Sequence, residues 1–216
     1  MLPDANPVGQ TKKRRRSRRP QCRSYSMSSF CRIVPRMTVV RRVSSDDLTP
    51  RDATSLRALL FASWTDPGDE FTEEDFDHAV GGVHFVVEAG GDIVSHASVV
   101  ERELHTGGHR LATGYVEAVA TLPTHRRRGF STAIMEIVGE HIDRTFQLGA
   151  LGTELFAFYE RLGWIVWRGS TWVRTDRGLV RTAEEDGYVL VRLTPDTPHL
   201  DLSLPISCDW RAGDVW

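Results

Sequence analysis

Gly114-Tyr115-Val116-Glu117-Ala118-Val119-Ala120-Thr121, followed shortly by Arg126-Arg127-Arg128-Gly129-Phe130-Ser131, is the stretch that decides the fold of this sequence. The first part is rich in strand-forming residues. The second is a basic turn built on a glycine. Behind it Phe130, Ile134, Ile137, Val138 and Ile142 recur at helical spacing and predict an amphipathic helix to about residue 144, with these five on its buried side. A strand therefore runs through a glycine turn into a helix start, where free backbone N–H groups and the positive helix end converge. Gly129 allows close backbone approach and the arginines add charge-assisted hydrogen bonds, which suits a pyrophosphate. The same residues also fit a solvated basic turn before an ordinary helix, so the loop alone does not decide between the two.

Upstream, residues 38–43 read as a strand, and Thr49-Pro50 opens a helix whose Leu56, Leu59, Leu60 and Trp64 share one face. Asp66-Pro67-Gly68 breaks it. Thr72 caps a second, short helix with Glu73, Glu74 and Asp75 at its positive end. Residues 83–89 and 93–102 read as strands about the Gly90-Gly91-Asp92 turn, and Gly107-Gly108 turns into the strand of 111–121. Downstream come a strand at 148–151, a short helix at 155–161, strands at 164–167 and 188–193, and a further strand at 206–210. Locally paired strands followed by a helical crossover predict an α+β fold: a mixed, mostly antiparallel sheet flanked by helices.

Apolar residues make up 40% and charged residues 26% of the 216, enough for a core, which excludes wholesale disorder. No stretch approaches the roughly 18 apolar residues that cross a bilayer, so no membrane association is expected. Cys22, Cys31 and Cys208 form no CxxC pair or disulfide framework, which predicts a cytoplasmic protein. Residues 1–36 hold ten basic residues and one acid, leaving 17 basic and 28 acidic residues in 37–216, a net of −11. The tail is expected to be disordered. As Met37 directly precedes the first strand, it reads as an extension from an upstream start, with a nucleic-acid arm, a localisation signal and a transit peptide as the other readings. A body this acidic repels nucleic acid and attracts cations. The eight histidines show no metal-binding spacing, so no metal is expected.

The order of elements and the loop together resemble the GNAT acetyltransferase superfamily. Arg126, Gly129 and Ser131 take the places of its Arg/Gln-x-x-Gly-x-Gly/Ala motif, with Ser131 a departure from Gly or Ala. The resemblance implies that 37–216 is one acetyltransferase domain. It also implies that acetyl-CoA is the co-substrate, held by Val119, Ala120, Thr121, Arg126, Arg127, Arg128, Gly129, Phe130 and Ser131. Ala157-Phe158-Tyr159-Glu160-Arg161-Leu162-Gly163-Trp164 resembles the later segment whose tyrosine reprotonates the CoA sulfur, which points to Tyr159. A core tyrosine is the alternative.

A narrower resemblance rests on Glu70-Phe71-Thr72 with Asp75, Gly81-Gly82-Val83-His84, Gly114-Tyr115-Val116-Glu117, Gln147-Leu148-Gly149-Ala150-Leu151, Glu184-Glu185-Asp186-Gly187 and above all Cys208-Asp209-Trp210-Arg211-Ala212-Gly213-Asp214-Val215-Trp216. Together these are similar to the aminoglycoside 2′-N-acetyltransferases. The resemblance implies an antibiotic-resistance enzyme acting on the 2′-amine of a cationic aminoglycoside. Glu70, Asp75, Glu117, Ala118, Gly152, Glu185 or Asp186, Asp214 and Trp216 would contact the acceptor. Glu117 and Trp216 join Tyr159 as catalytic residues. Glu117, placed on one strand face with Tyr115 and Val119, would take the ammonium proton, through a water or directly. Asp214 and the Trp216 carboxylate would position the amine. Gly152 stands where the family has Ser, the segment after it is about two residues short, and Asp69-Glu70 replaces a single Asp, all of which bear on acceptor preference. Another cationic amine such as a polyamine, a scaffold that only binds CoA, and a nucleic-acid-binding protein acting through its tail are the alternatives. A homodimer is left open.

Overall fold

The computed structural model describes residues 38–64 and 71–216. The expectations for the basic tail, for the break at 66–68 and for Glu70 lie outside the described residues. Two threonines start the first helices. The Thr49 side chain accepts from the Asp52 amide while Asp52 reaches back to the Thr49 amide, and Pro50 fills the first position of α1 (Pro50–Phe61). Thr72 and Asp75 repeat this reciprocal cap at α2 (Glu73–Ala79). Among the described residues α3 (Phe130–Thr145) and α4 (Phe156–Glu160) complete the α-helices.

The strands are β1 (Arg41–Ser44), β2 (Val83–Ala89), β3 (Asp92–Thr106), β4 (His109–Thr121), β5 (Leu148–Gly152), β6 (Ile165–Val166), β7 (Thr171–Thr175), β8 (Gly178–Arg181), β9 (Val189–Leu193) and β10 (Ile206–Asp209). They form one sheet in the order β6-β9-β5-β4-β3-β10-β7-β8, with β2 also on β3 and β1 on β2. Only β4–β5 and β10–β7 are parallel. This is the mixed, mostly antiparallel α+β architecture expected from the element order. β3 is long enough to pair β2 with its first half and β10 with its end.

Ile134, Val138 and Ile142 of α3 pack with Phe85, Val116 and Trp164 on one sheet face. Tyr115, Trp167, Ile206, Cys208 and Trp216 form a second cluster on the other. Leu56, Leu59 and Leu60 of α1 cover Ala79 and Val86 in a third. Several sequence expectations need correction. Ile137 lies at the flank of the α3 stripe and is 36% exposed, not buried. The first strand begins at Arg41 rather than residue 38. β7 and β8 form a hairpin the sequence reading lacked.

Candidate active site

β4 creates the site by leaving its neighbour. It pairs with β5 only from Thr113 to Tyr115, yet continues to Thr121. Beyond Tyr115 its β5-side edge therefore has no strand partner. On its other side Glu117 faces Ser98 and Ala120 faces His96, so Ala118 and Val119 together face Ala97. This is a β-bulge, with Ala118 at φ 50°. The extra residue shifts the alternation of faces. Tyr115 packs with Trp167 and Trp216, whereas Val119 packs with the cluster of Val116 and Ile134. The expectation that Glu117 shares a face with both Tyr115 and Val119 is thus corrected.

The glycine turn lies at the end of this strand. Gly129, at φ 82°, caps α3 without a side-chain bond. Arg127 is also left-handed, at φ 60°. The first helical amide bond runs from Ala133 to the Gly129 carbonyl at 3.0 Å, which leaves the amides ahead of Ala133 free of helical acceptors. A Cβ at Gly129 would meet nothing within 4 Å. Arg126, Arg127 and Arg128 are exposed. Arg126 Nε donates to the Thr121 carbonyl (3.2 Å) and Arg128 Nη2 to the Thr124 carbonyl (3.0 Å). The Ser131 hydroxyl is tied to Thr121 Oγ1 (2.8 Å), which meets Ser95 Oγ (2.6 Å), which donates to the Ala120 carbonyl (3.0 Å). This chain of hydroxyls laces the helix start to the strand end, a use for the serine that departs from the motif. Phe130 is half-buried against the first cluster. Open space over Gly129, free amides, an unpaired strand edge and exposed arginines fit the anionic, extended acetyl-CoA.

Next to the unpaired β4 edge is a cavity of about 880 Å³. Asp75, Glu117, Ala118, Val119, Gly152, Tyr159, Glu185, Asp214 and Trp216, nine residues singled out in the sequence, all line it. Glu154 and Glu184 add carboxylates, Trp64, Phe71, Tyr115 and Tyr188 add aromatic surface, and His78 and Arg211 add the basic groups. Asp186 does not line it. It accepts from the Thr171 amide (2.8 Å) and hydroxyl (3.0 Å) and from Arg181 Nη1 (2.9 Å). These contacts, the Arg181 bond first, hold its carboxyl down at about 2. Of the Glu185-or-Asp186 alternatives, Glu185 is the one at the cavity. Burial, with the Asp214 and Glu184 carboxylates nearby, pushes the Glu185 carboxyl up. Asp75 is engaged by the α2 cap, its Oδ2 accepting from the Thr72 amide (2.9 Å) and hydroxyl (2.8 Å).

The residue that sequence reasoning missed is Arg211. Its Nη1 donates to Glu117 Oε1 at 2.7 Å, its Nε donates to the Asp214 carbonyl at 2.6 Å, and its guanidinium lies 5.8 Å from the Tyr115 ring centre. The signal was a cation quoted inside a motif of a site read as anionic. Burial pushes the Glu117 carboxyl up, against the pull of Arg211. The Tyr115 hydroxyl is buried without a hydrogen-bond partner among the described residues.

The Trp216 indole Nε1 donates to Thr182 Oγ1 (3.0 Å), and its amide to Asp214 Oδ1 (3.2 Å). Cys208 Sγ donates to the Val215 carbonyl (3.2 Å), which brings the last residues back over β10. A Cβ at Gly152 would lie 3.5 Å from the Trp216 backbone carbonyl carbon and 3.7 Å from the Tyr115 hydroxyl. Tyr159 is 5% exposed, and burial pushes its hydroxyl up to about 12. Among the described residues no group of three or more His, Cys, Asp or Glu could hold a metal ion, and no helix is long and apolar enough to cross a membrane.

Residues 40–166, which include the splayed strand, the glycine turn and the helix behind it, match the family described as Acetyltransferase (GNAT) domain. The chain is 37% identical over 180 residues to an aminoglycoside 2′-N-acetyltransferase of Mycolicibacterium fortuitum, a match that spans 82% of this chain and 91% of that one. The chain belongs to the GNAT acetyltransferases and, within them, to the family of the aminoglycoside 2′-N-acetyltransferases. The fold is shared with a GNAT family N-acetyltransferase from Escherichia coli crystallised in complex with CoA (TM-score 0.55, 13% identity, 79% of this chain and 89% of that one). It is shared also with a probable N-acyltransferase from Enterococcus faecalis (TM-score 0.50, 16% identity, 60% of this chain), of which this chain spans only about a third, 33%.

Proposed function

We propose that this N-acetyltransferase moves the acetyl group of acetyl-CoA to the 2′-amine of an aminoglycoside and so confers resistance in the cytoplasm. The observation that carries the reading is the Arg211–Glu117 pair: the acidic cavity beside the unpaired β4 edge already holds a cation on its most buried carboxylate. An acceptor ammonium is chemically the same kind of guest. It would take the place of the guanidinium on Glu117, with Asp214 and Glu185 available to its other charges and Trp216 beside them. The 37% identity to a named aminoglycoside enzyme supports the same acceptor class.

Acetyl-CoA supplies an activated thioester acetyl group. Val119, Ala120 and Thr121 would hold its arm along the unpaired strand edge. Gly129 and its flanking arginines, with Phe130 and Ser131, would hold its phosphates. Amides on that edge stabilise negative charge developing on a carbonyl oxygen. Glu117 accepts the proton of the acceptor ammonium, directly or through a water, and its raised pKa makes it a stronger base than an exposed carboxylate. Tyr159, kept protonated by burial, returns a proton to the departing sulfur. Attack is direct; Cys208, the one cysteine among the described residues, is a buried thiol in the second core cluster and serves no covalent step.

A thiol-release assay with acetyl-CoA across aminoglycosides with and without a 2′-amine, and a linear polyamine, tests the reading. Release with the 2′-amines alone is expected. Release with the polyamine alone would replace the aminoglycoside by another cationic amine, and CoA binding without release from any acceptor would leave only a scaffold.

A further inference from the structure

Two fully buried histidines lie behind the catalytic strand, and the reaction described above uses neither. His84 and His96 both have 0% exposure. His96 Nδ1 is 2.8 Å from the Ala118 carbonyl oxygen, the carbonyl of the bulge residue itself. His96 Nε2 is 2.9 Å from His84 Nδ1, and His84 Nε2 is 2.9 Å from Ser45 Oγ. Ser45 Oγ accepts in turn from the Gly82 amide at 3.0 Å.

The chemistry fixes the direction of this chain. A carbonyl can only accept, so His96 Nδ1 carries the proton. Its Nε2 then accepts from His84 Nδ1–H, and His84 Nε2 accepts from the Ser45 hydroxyl. Each ring nitrogen has one partner and both rings are neutral; the single Ser45 hydroxyl proton then goes to His84 rather than to the Gly82 carbonyl, which lies 2.8 Å from Ser45 Oγ. Burial agrees, because it pushes both imidazoles well below their ordinary range.

What this chain holds is strained. Ala118 sits at φ 50°, a conformation that disfavours any side chain with a Cβ. A bulge also turns a carbonyl out of the ladder, and a buried carbonyl must find another donor. His96 supplies one, at 2.8 Å. The bulge in turn determines how β4 presents its edge past Tyr115 and where Val119 stands.

We propose that His96 is a positioning residue for acetyl-CoA: its bond to the Ala118 carbonyl, oriented by His84 and Ser45, keeps the β4 bulge in the shape that receives the acetyl-CoA arm. This rests on the reading that the arm lies along β4, so the test carries a separate control for that reading. In an extended β4 without the bulge, one residue fewer would face β3 and the edge beyond Glu117 would present the other set of amides.

The experiment compares His96→Asn and His96→Leu in the full chain by calorimetric CoA affinity and by steady-state kinetics, with melting temperature as a control. An Asn amide nitrogen can stand where Nδ1 stood, whereas Leu has no donor. His96→Leu is expected to weaken CoA binding at least tenfold and to raise the acetyl-CoA KM in proportion. Its acceptor KM should stay within twofold, and His96→Asn should recover most of the loss. CoA affinity unchanged in His96→Leu, or no better in His96→Asn than in His96→Leu, overturns the proposal. If His96→Leu does not fold, His84→Leu serves instead. It keeps the bond to Ala118 but frees the ring, and should weaken CoA in the same direction; unchanged affinity there also overturns the proposal. Gly129→Val is the control: if it leaves CoA affinity unchanged, it is the placement of acetyl-CoA that fails.

Discussion

At Glu117 two demands meet. A base needs a carboxylate that will take a proton, and a cation site needs one that stays charged. Burial raises its pKa and Arg211 opposes the rise, so the two side chains together set the compromise. Glu117→Gln keeps the shape and loses the proton acceptor; kcat should fall by about 10²–10⁴, the usual worth of general-base catalysis, in a protein that still melts cooperatively. Arg211→Gln removes a positive charge that favours the ionised carboxylate. The Glu117 pKa then rises further, and the acid limb of the kcat/KM profile should move to higher pH. A limb that stays put or moves to lower pH would show that the pair does not persist in the free enzyme. None of this pairing was legible in the sequence, because the partners stand 94 residues apart and meet only when the last residues fold back. Glu117 itself was legible, as an acid in the middle of a strand where an unpartnered carboxylate is costly.

The element that carries the chemistry is β4 with the turn behind it. The strand, the glycine turn and α3 could be read directly, because periodicity and a glycine mark them locally. The bulge could not: Glu117-Ala118-Val119-Ala120 contains no glycine to announce a left-handed residue, and the strain at Ala118 is borne by contacts from β3. β7 and β8 were missed for a related reason. β8 is an edge strand with Leu179 and Val180 exposed, so it shows no inward-facing apolar set. The Asp186 ion pair with Arg181 is equally invisible from an acidic run that reads as one solvated turn. Gly129→Val should raise the acetyl-CoA KM by at least tenfold and leave the acceptor KM near its original value. A β-branched residue resists φ 82° and fills the space above the turn. Steady-state kinetics with each substrate varied in turn checks it, and an effect on the acceptor alone would move the phosphates away from this loop.

Across the whole molecule, distant pieces converge on one acidic cavity. Asp75 comes from α2, Glu117 from β4, Glu185 from the stretch before β9, and Arg211, Asp214 and Trp216 from the segment after β10. The Trp216 side chain is fixed in the second core cluster, so its backbone beside Gly152 has little freedom. A misplacement of about 1 Å can already cost about 10²-fold. A tag added after Trp216 should therefore cut kcat/KM for the acceptor by about 10²-fold or more, while a tag ahead of residue 1 changes little and CoA affinity survives both. Equal kcat/KM for the two tagged proteins would remove Trp216 from the site. The central claim, acetyl transfer to the 2′-amine, is tested most directly by incubating the protein with isotopically labelled acetyl-CoA and an aminoglycoside, and locating the label by NMR. The account predicts one acetyl group, on the 2′ nitrogen. Label on any other nitrogen, or none on the antibiotic while CoA is still bound, would contradict it.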